Sequence, residues 1–375
     1  MTALDYTREL VAFDSISLKS NVAVTDYVQQ TLTKLGFETE RLEYDDKSGV
    51  RKASVVGKRG TGAGGMAYFG HTDVVPADNW KFADHGPFEP TIIDDRLYGR
   101  GSCDMKGSVA CALAAAESTS RDSLSQPLYI VCTADEEVGY LGAQQVAAES
   151  RLFAEMAAHG TRGVIGEPTK LKVVYAHKGV CGITATSRGR AAHSSTREGL
   201  NANLAMIPFL AEMKAIYDET ESDPAWQHAE FDPPTVSWNI GINDHTRAVN
   251  ITPPQSICTV YFRPMPGQDA DQLIDRARQT AGALGLDFEV KINASPMYVA
   301  PDSSYVREAL ELAGQTEPTT VSYGTDGAML GALQNLIVCG PGDIAQAHTN
   351  DEWIALNALQ QGTALYERMI RTWCA

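Results

Sequence analysis

The sequence predicts an α/β fold, a mixed sheet sandwiched by helices, with a small α+β unit inserted into it. Three observations carry this. Strand and helix signals alternate through roughly the first 170 residues. From about Lys178 the pattern becomes strand–helix–strand–strand–helix–strand, with β-branched and aromatic strands. The first pattern then resumes toward the end of the chain. The expected boundaries are 1–178 and 293–375 for the larger domain and 179–292 for the insertion.

In chain order, Val24, Tyr27, Val28, Leu32 and Leu35 recur at helical spacing, and Gly36 follows as a stop. ASVVG (53–57), MAYFG (66–70) and LYIVCT (128–133) read as strands, and KGSVACALAAAES (106–118) as a buried helix of small residues. GKRGTGAGG (57–65) is glycine-rich but lacks the order of a phosphate loop and joins two strands, so it reads as a turn. In the insertion, 180–189, 235–243, 256–264 and 288–292 read as strands and 199–219 and 269–285 as helices. A helix at 303–314, the strand LIVCG (336–340) and a helix at about 355–373 complete the larger domain.

The chain has 375 residues, with 31 Lys and Arg against 47 Asp and Glu and a net charge of −16. This acidity argues against nucleic-acid and anionic-membrane partners. The N-terminus MTALDYTREL has no secretory pattern, and no apolar run approaches the about 20 residues of a membrane span. Seven scattered cysteines without a CxxC pair suit reduced, buried thiols, Cys103 included, in a cytoplasmic protein.

The chemistry concentrates where apolar strands end or tight glycine-rich turns begin. His71 and Asp73 follow MAYFG, and Asp104 lies in LYGRGSCDMKG before the buried helix. Asp135, Glu136 and Glu137 follow LYIVCT, Glu167 lies in VIGEP, and His348 follows LIVCG. The carboxyl edge of an open α/β sheet is where ligands bind. Each residue alone has a plain reading, as a loop histidine, a solvated acidic turn or a helix cap. Together His71, Asp104, Glu137, Glu167 and His348 form an imidazole–carboxylate set suited to Zn²⁺, with Co²⁺ or Mn²⁺ as replacements. These carboxylates and that of Glu136, four held together without metal, would raise one another's pKa.

GHTDVVP, LYGRGSCDMKG, ADEEVG, IGEPT, GRAAHSS and AQAH, in this order, resemble the M20-type metallopeptidase and deacylase family. That family includes acetylornithine deacetylase, succinyl-diaminopimelate desuccinylase, aminoacylase and glutamate carboxypeptidases. The resemblance spans nearly the whole chain. It implies a zinc-peptidase-like catalytic domain with a ferredoxin-like dimerisation or lid domain, and a homodimer. It also implies two Zn²⁺, one held by His71, Asp104 and Glu167 and the other by Glu137 and His348, with Asp104 bridging. Asp73 resembles the carboxylate that orients His71, and the Asp104–Met105 peptide is expected to be cis.

By the same resemblance Glu136 is the general base that acts on a metal-bridging water and returns the proton to the leaving amine. His193 resembles the histidine that donates to the oxyanion. Asn250 resembles an asparagine that reaches a neighbouring active site, and Arg263 the arginine that binds the substrate carboxylate. Gly324, Thr325 and Asp326 of SYGTDG resemble the loop that closes over that carboxylate. Ser194 and Ser195 follow His193, but no G-x-S-x-G elbow supports a serine nucleophile. GEPTKLKVVYAHKG and GPGDIAQAHTNDEW sit closest to the acetylornithine deacetylase branch, whereas SYGTDG leans toward desuccinylases and peptidases. The expected substrate is a small N-acyl amino acid, N-acetylornithine first; another N-acyl amino acid or a dipeptide is the alternative. A binding protein that lost the reaction should show a substitution at Glu136 or a ligand, and none is seen.

Overall fold

The computed structural model describes residues 1–120 and 124–375. Its residues group into two compact units. The first comprises Met1–Ala176, Tyr298–Thr319 and Thr325–Ala375, and the second His177–Met297 with Thr320–Gly324. Thr320–Gly324 joins the second unit because Thr320 Oγ1 and Ser322 Oγ donate to the carbonyls of Glu230 and Asp232. The sequence had not indicated this excursion.

The first unit is built on a mixed sheet. At its centre Met66–His71 runs parallel to Leu128–Thr133 on one side and to Arg162–Pro168 on the other. Leu336–Gly340 extends the parallel run beyond Arg162–Pro168. These four strands are almost wholly buried, which explains their continuous apolar sequences. The antiparallel pair Glu38–Asp45 and Arg51–Arg59 closes one side.

Successive residues of a strand point to opposite faces. Tyr68 meets Tyr366 of the Leu356–Cys374 helix edge-on at 5.3 Å and donates to Ser108 of the Lys106–Ser118 helix. Phe69 meets Phe153 of the Arg151–Ala158 helix at 6.4 Å. Adjacent residues thus reach helices on both faces, and the sheet is sandwiched. Lys106–Ser118 is buried along nearly its whole length, so its small residues let the sheet and the Ala3–Val11 and Leu356–Cys374 helices approach closely.

The second unit is a four-stranded antiparallel sheet in the order Asn239–Asn243, Gln255–Phe262, Val180–Arg188, Asp287–Ala294. The helices Ala202–Ser222 and Ala270–Ala283 pack on its strands and on each other. In chain order the strands lie 4-1-3-2, the split βαβ arrangement of ferredoxin-like units. The strand at 239–243 is shorter than the sequence suggested, because Ser237 adopts φ 53° and breaks the extended run before it.

Candidate metal centre

Four of the predicted site segments leave adjacent parallel strands at one edge of the sheet. His71 is the last residue of its strand, Glu167 the second-last of its own, and Glu136, Glu137 and His348 lie in the segments beyond theirs. Asp104 arrives differently. It follows Arg96–Tyr98, a strand of a separate small sheet, and immediately precedes the Lys106–Ser118 helix. The Asp104–Met105 peptide is cis.

Asp104 stands at the middle of the cluster. Its Oδ1 lies 3.2 Å from His71 Nε2, which is also 3.6 Å from Glu167 Oε1. Its Oδ2 lies 3.3 Å from His348 Nε2, which is 3.0 Å from Glu137 Oε2. The structure therefore brings all five residues together, with one histidine and one glutamate on each side of Asp104. Ligand atoms of His71, Asp104 and Glu137 lie within 4.8 Å of one another. Two imidazoles and three carboxylates without a thiolate form a donor set for a borderline divalent cation.

The electrostatics express the same need. Burial pushes the Glu136 carboxyl well up, and Glu167, Glu137 and Asp326 add to this against the pull of His71. Glu137 and Glu167 are likewise raised, by burial first and then by Asp104. Burial opposes the charge of His71, yet Asp104, Glu167, Glu136 and Asp73 together push its pKa well up. His348 is pushed up to about 10 by its hydrogen bonds to Asp104 and Glu137. Protons on the imidazoles and carboxyls supply the positive charge that a cation would otherwise bring.

Asp73 does more than its spacing from His71 suggests. The nearest partner of His71 Nδ1 is the Asp73 backbone carbonyl at 2.9 Å, with the carboxylate at 3.7 Å. The Asp73 carboxylate accepts from the backbone N–H of Glu136 at 3.2 Å and of Glu137 at 3.3 Å, and from Ser17 Oγ at 2.7 Å. One residue thus orients an imidazole through its main chain and the Glu136–Glu137 turn through its side chain.

Glu352 escaped the sequence reading. Its fully buried carboxylate accepts from Arg100 Nη1 and from the backbone N–H of Gly101, Cys103 and Asp104, all between 2.7 and 2.9 Å. It shapes the loop that presents Asp104. Its only local signal is an acid four residues after His348.

Thr325 and Asp326 belong to the first unit. Thr325 Oγ1 accepts from Gly327 N, and Asp326 is buried, accepts from Thr133 Oγ1 and is raised to about 6, chiefly by burial. His193, Asn250, Arg263 and Gly324 belong to the second. There the His193 and Asn250 segments pair through Ser194 N and the Asn250 carbonyl, and His193 Nδ1 lies 2.7 Å from Ser195 Oγ. The Arg263 guanidinium sits over the Tyr261 ring, and its buried Nη1 has no partner among the described residues.

Residues 67–372 match peptidase family M20/M25/M40. The chain is 34% identical over 379 residues to an acetylornithine deacetylase of Myxococcus xanthus, covering 98% of this chain and 96% of that protein. It is 31% identical to an acetylornithine deacetylase of Proteus mirabilis, covering 100% and 97%. In fold it resembles an M20 family metallo-carboxypeptidase from Sulfolobus solfataricus, with a TM-score of 0.78 at 18% identity over 99% of both chains. Human carnosine dipeptidase 1 gives a TM-score of 0.72 at 18% identity, over 98% of this chain and 96% of that one. With this match over most of its length, the chain is a member of peptidase family M20/M25/M40, a family of metal-dependent hydrolases.

Proposed function

We propose that the protein hydrolyses the amide bond of an N-acyl amino acid, with N-acetylornithine as the preferred substrate. The near-full-length similarity to acetylornithine deacetylases carries the substrate, and the cluster around Asp104 supports the chemistry. His71, Asp104 and Glu167 would hold one metal and Glu137 and His348 the other, with Asp104 shared between the two sites. Zn²⁺ fits the donors best, with Co²⁺ or Mn²⁺ as substitutes. When bound, the pair supplies Lewis acidity and makes water acidic enough to lose a proton near neutral pH.

The chain's own groups carry the rest. Glu136 is the general base, which takes a proton from water and hands it to the leaving amine. Asp73 keeps Glu136 facing the cluster through the backbone of its turn. Arg263 receives the substrate carboxylate with the help of Gly324 and Thr325, and His193 donates to the oxyanion. Asn250 reaches a neighbouring active site. The unit 179–292 serves as a dimerisation or lid domain in a cytoplasmic homodimer. Exposed Leu204 and Ile207 on its long helix and Ile242 on its edge strand support an interface there. The SYGTDG loop favours a second reading, in which the substrate is another N-acyl amino acid or a dipeptide.

The deciding experiment measures amine release by metal-reconstituted protein. The panel holds N-acetylornithine, N-succinyl-diaminopimelate, N-acetylcitrulline, N-acetylmethionine, N-formylmethionine and simple dipeptides, with Glu136→Ala as control. A dominant N-acetylornithine signal that vanishes in the variant supports the reading. Dominant turnover of a dipeptide overturns the substrate, and failure to bind metal overturns the site.

A further inference from the structure

Glu136 and Glu137 have different tasks but share one turn, Glu136–Val138, so any rotation of that turn misplaces both. The chain enters it through Asp135, a non-glycine residue in the left-handed region at φ 58°. Such a conformation persists only where surrounding structure enforces it. The enforcing groups converge from the N-terminal part of the chain. The fully buried Lys52 ammonium lies 2.8 Å from Asp135 Oδ1 and donates to the carbonyls of Ser17 and Lys19. Tyr44 OH donates to Asp135 Oδ2 at 2.8 Å. Ser17 Oγ donates to Asp73 Oδ2, and Asp73 in turn accepts the N–H groups of Glu136 and Glu137.

We infer that Lys52, Tyr44 and Ser17 are positioning residues for the amide cleavage, locking the Asp135–Glu137 turn so that Glu136 keeps its aim. The inference rests on the proposed role of Glu136. Lys52 and Tyr44 grip the side chain that precedes the turn, and Ser17 braces the carboxylate that grips its backbone. Stability alone is a weak reason for this arrangement, because a buried ion pair is replaceable by apolar residues with little loss. A fixed geometry requires it, because an ammonium held by two carbonyls and set 2.8 Å from a carboxylate that itself accepts from Tyr44 has few other places to go. All three residues precede residue 67, where the match to the family model begins.

The test uses Tyr44→Phe and Asp135→Asn in the metal-loaded protein, alone and combined, with Lys52→Met as a third variant. Tyr44→Phe lowers kcat about tenfold, in line with the sensitivity of catalysis to misplacement of about 1 Å. KM stays within about twofold and metal content stays at the parent value. The double variant is no worse than Asp135→Asn alone, because both act on one turn. Lys52→Met falls further than Tyr44→Phe; if it does not fold, the other variants decide. A parent-level kcat in both Tyr44→Phe and Asp135→Asn overturns the inference, as does a rise in KM with kcat unchanged. The second readout needs no substrate. Amide exchange at Glu136 and Glu137 speeds up about tenfold or more in Tyr44→Phe while strands of the central sheet stay protected. Unchanged exchange overturns the inference even if the substrate assignment is wrong. An inactive parent whose variants show faster exchange rejects the proposed function and leaves the positioning network standing.

Discussion

Glu352 accepts a hydrogen bond from the backbone N–H of Asp104 at 2.9 Å across 248 residues of sequence. The same carboxylate holds Gly101, Cys103 and Arg100, so the loop bearing Asp104 is cast around a single buried acid. Glu352→Gln keeps the volume but turns an amide NH₂ toward backbone donors. Metal affinity is expected to fall about 10–100-fold, as for other groups that orient a ligand. Competition with a chelating dye measures this, and parent-level affinity refutes it. Glu352→Ala also strands the Arg100 guanidinium in the interior and should cost about 3–5 kcal/mol in urea denaturation.

Glu136→Gln separates chemistry from metal binding. The amide cannot take a proton, so kcat should drop about 10²–10⁴-fold while metal content and fold persist. Steady-state kinetics beside elemental analysis check it. A variant that retains activity removes Glu136 as the base.

The pH dependence of the metal-free protein has a definite sign. His348 titrates at about 10 in the fold against an ordinary 6.5, because Asp104 and Glu137 accept its hydrogen bonds. The stability it contributes is complete below pH 6.5 and is lost as the pH rises through about 10. The raised carboxyls of Glu136, Glu137 and Glu167 act in the same direction, since burial favours their protonated forms. Metal-free protein should therefore lose Tm steadily from neutral to alkaline pH, and loaded protein should lose much less. Metal uptake at pH 7 should also release protons, measurable by calorimetry in buffers of different ionisation enthalpy.

Gly340 ends the strand Leu336–Gly340 opposite Pro168, just past a shift in its register on Arg162–Pro168. A Cβ on Gly340 would lie 2.0 Å from the Gly166 carbonyl oxygen, which is main chain and cannot swing aside. Gly340→Ala should destabilise by about 3 kcal/mol, the upper end of ordinary overpacking. It should also weaken metal binding, because Glu167 follows Gly166. Thermal unfolding and a metal titration test the two parts separately.

The proposed homodimer rests on exposed apolar side chains of the second unit. Ile207→Asp combined with Ile242→Asp should shift the sedimentation coefficient from dimer to monomer and leave helix content unchanged. A parent that already sediments as a monomer rejects the interface.

Much of the candidate site was legible because buried parallel strands read as unbroken apolar runs, and acids or imidazoles just past them stand out. Glu38–Asp45 was not legible. It lies at the sheet border, most of its residues are partly exposed, and its polar sequence ETERLEYD carries no apolar run. Tyr44 went unseen with it. Lys52 was passed over because a lysine at a strand end ordinarily faces solvent, whereas here it is enclosed by Ser17, Lys19 and Asp135.

The sequence by itself determined the alternating core, the split βαβ insertion and the order in which the candidate ligands leave the strands. Each of these depends on burial and on spacing along one stretch of chain, which residue type and periodicity record. Only the tertiary structure decided that the Asp73 carbonyl is the nearest partner of His71 while its carboxylate holds the Glu136 turn. It alone seated Glu352 under the Asp104 loop and Lys52 under Asp135. A buried polar group must be satisfied wherever partners converge, and convergence of segments tens to hundreds of residues apart leaves no local mark in the chain.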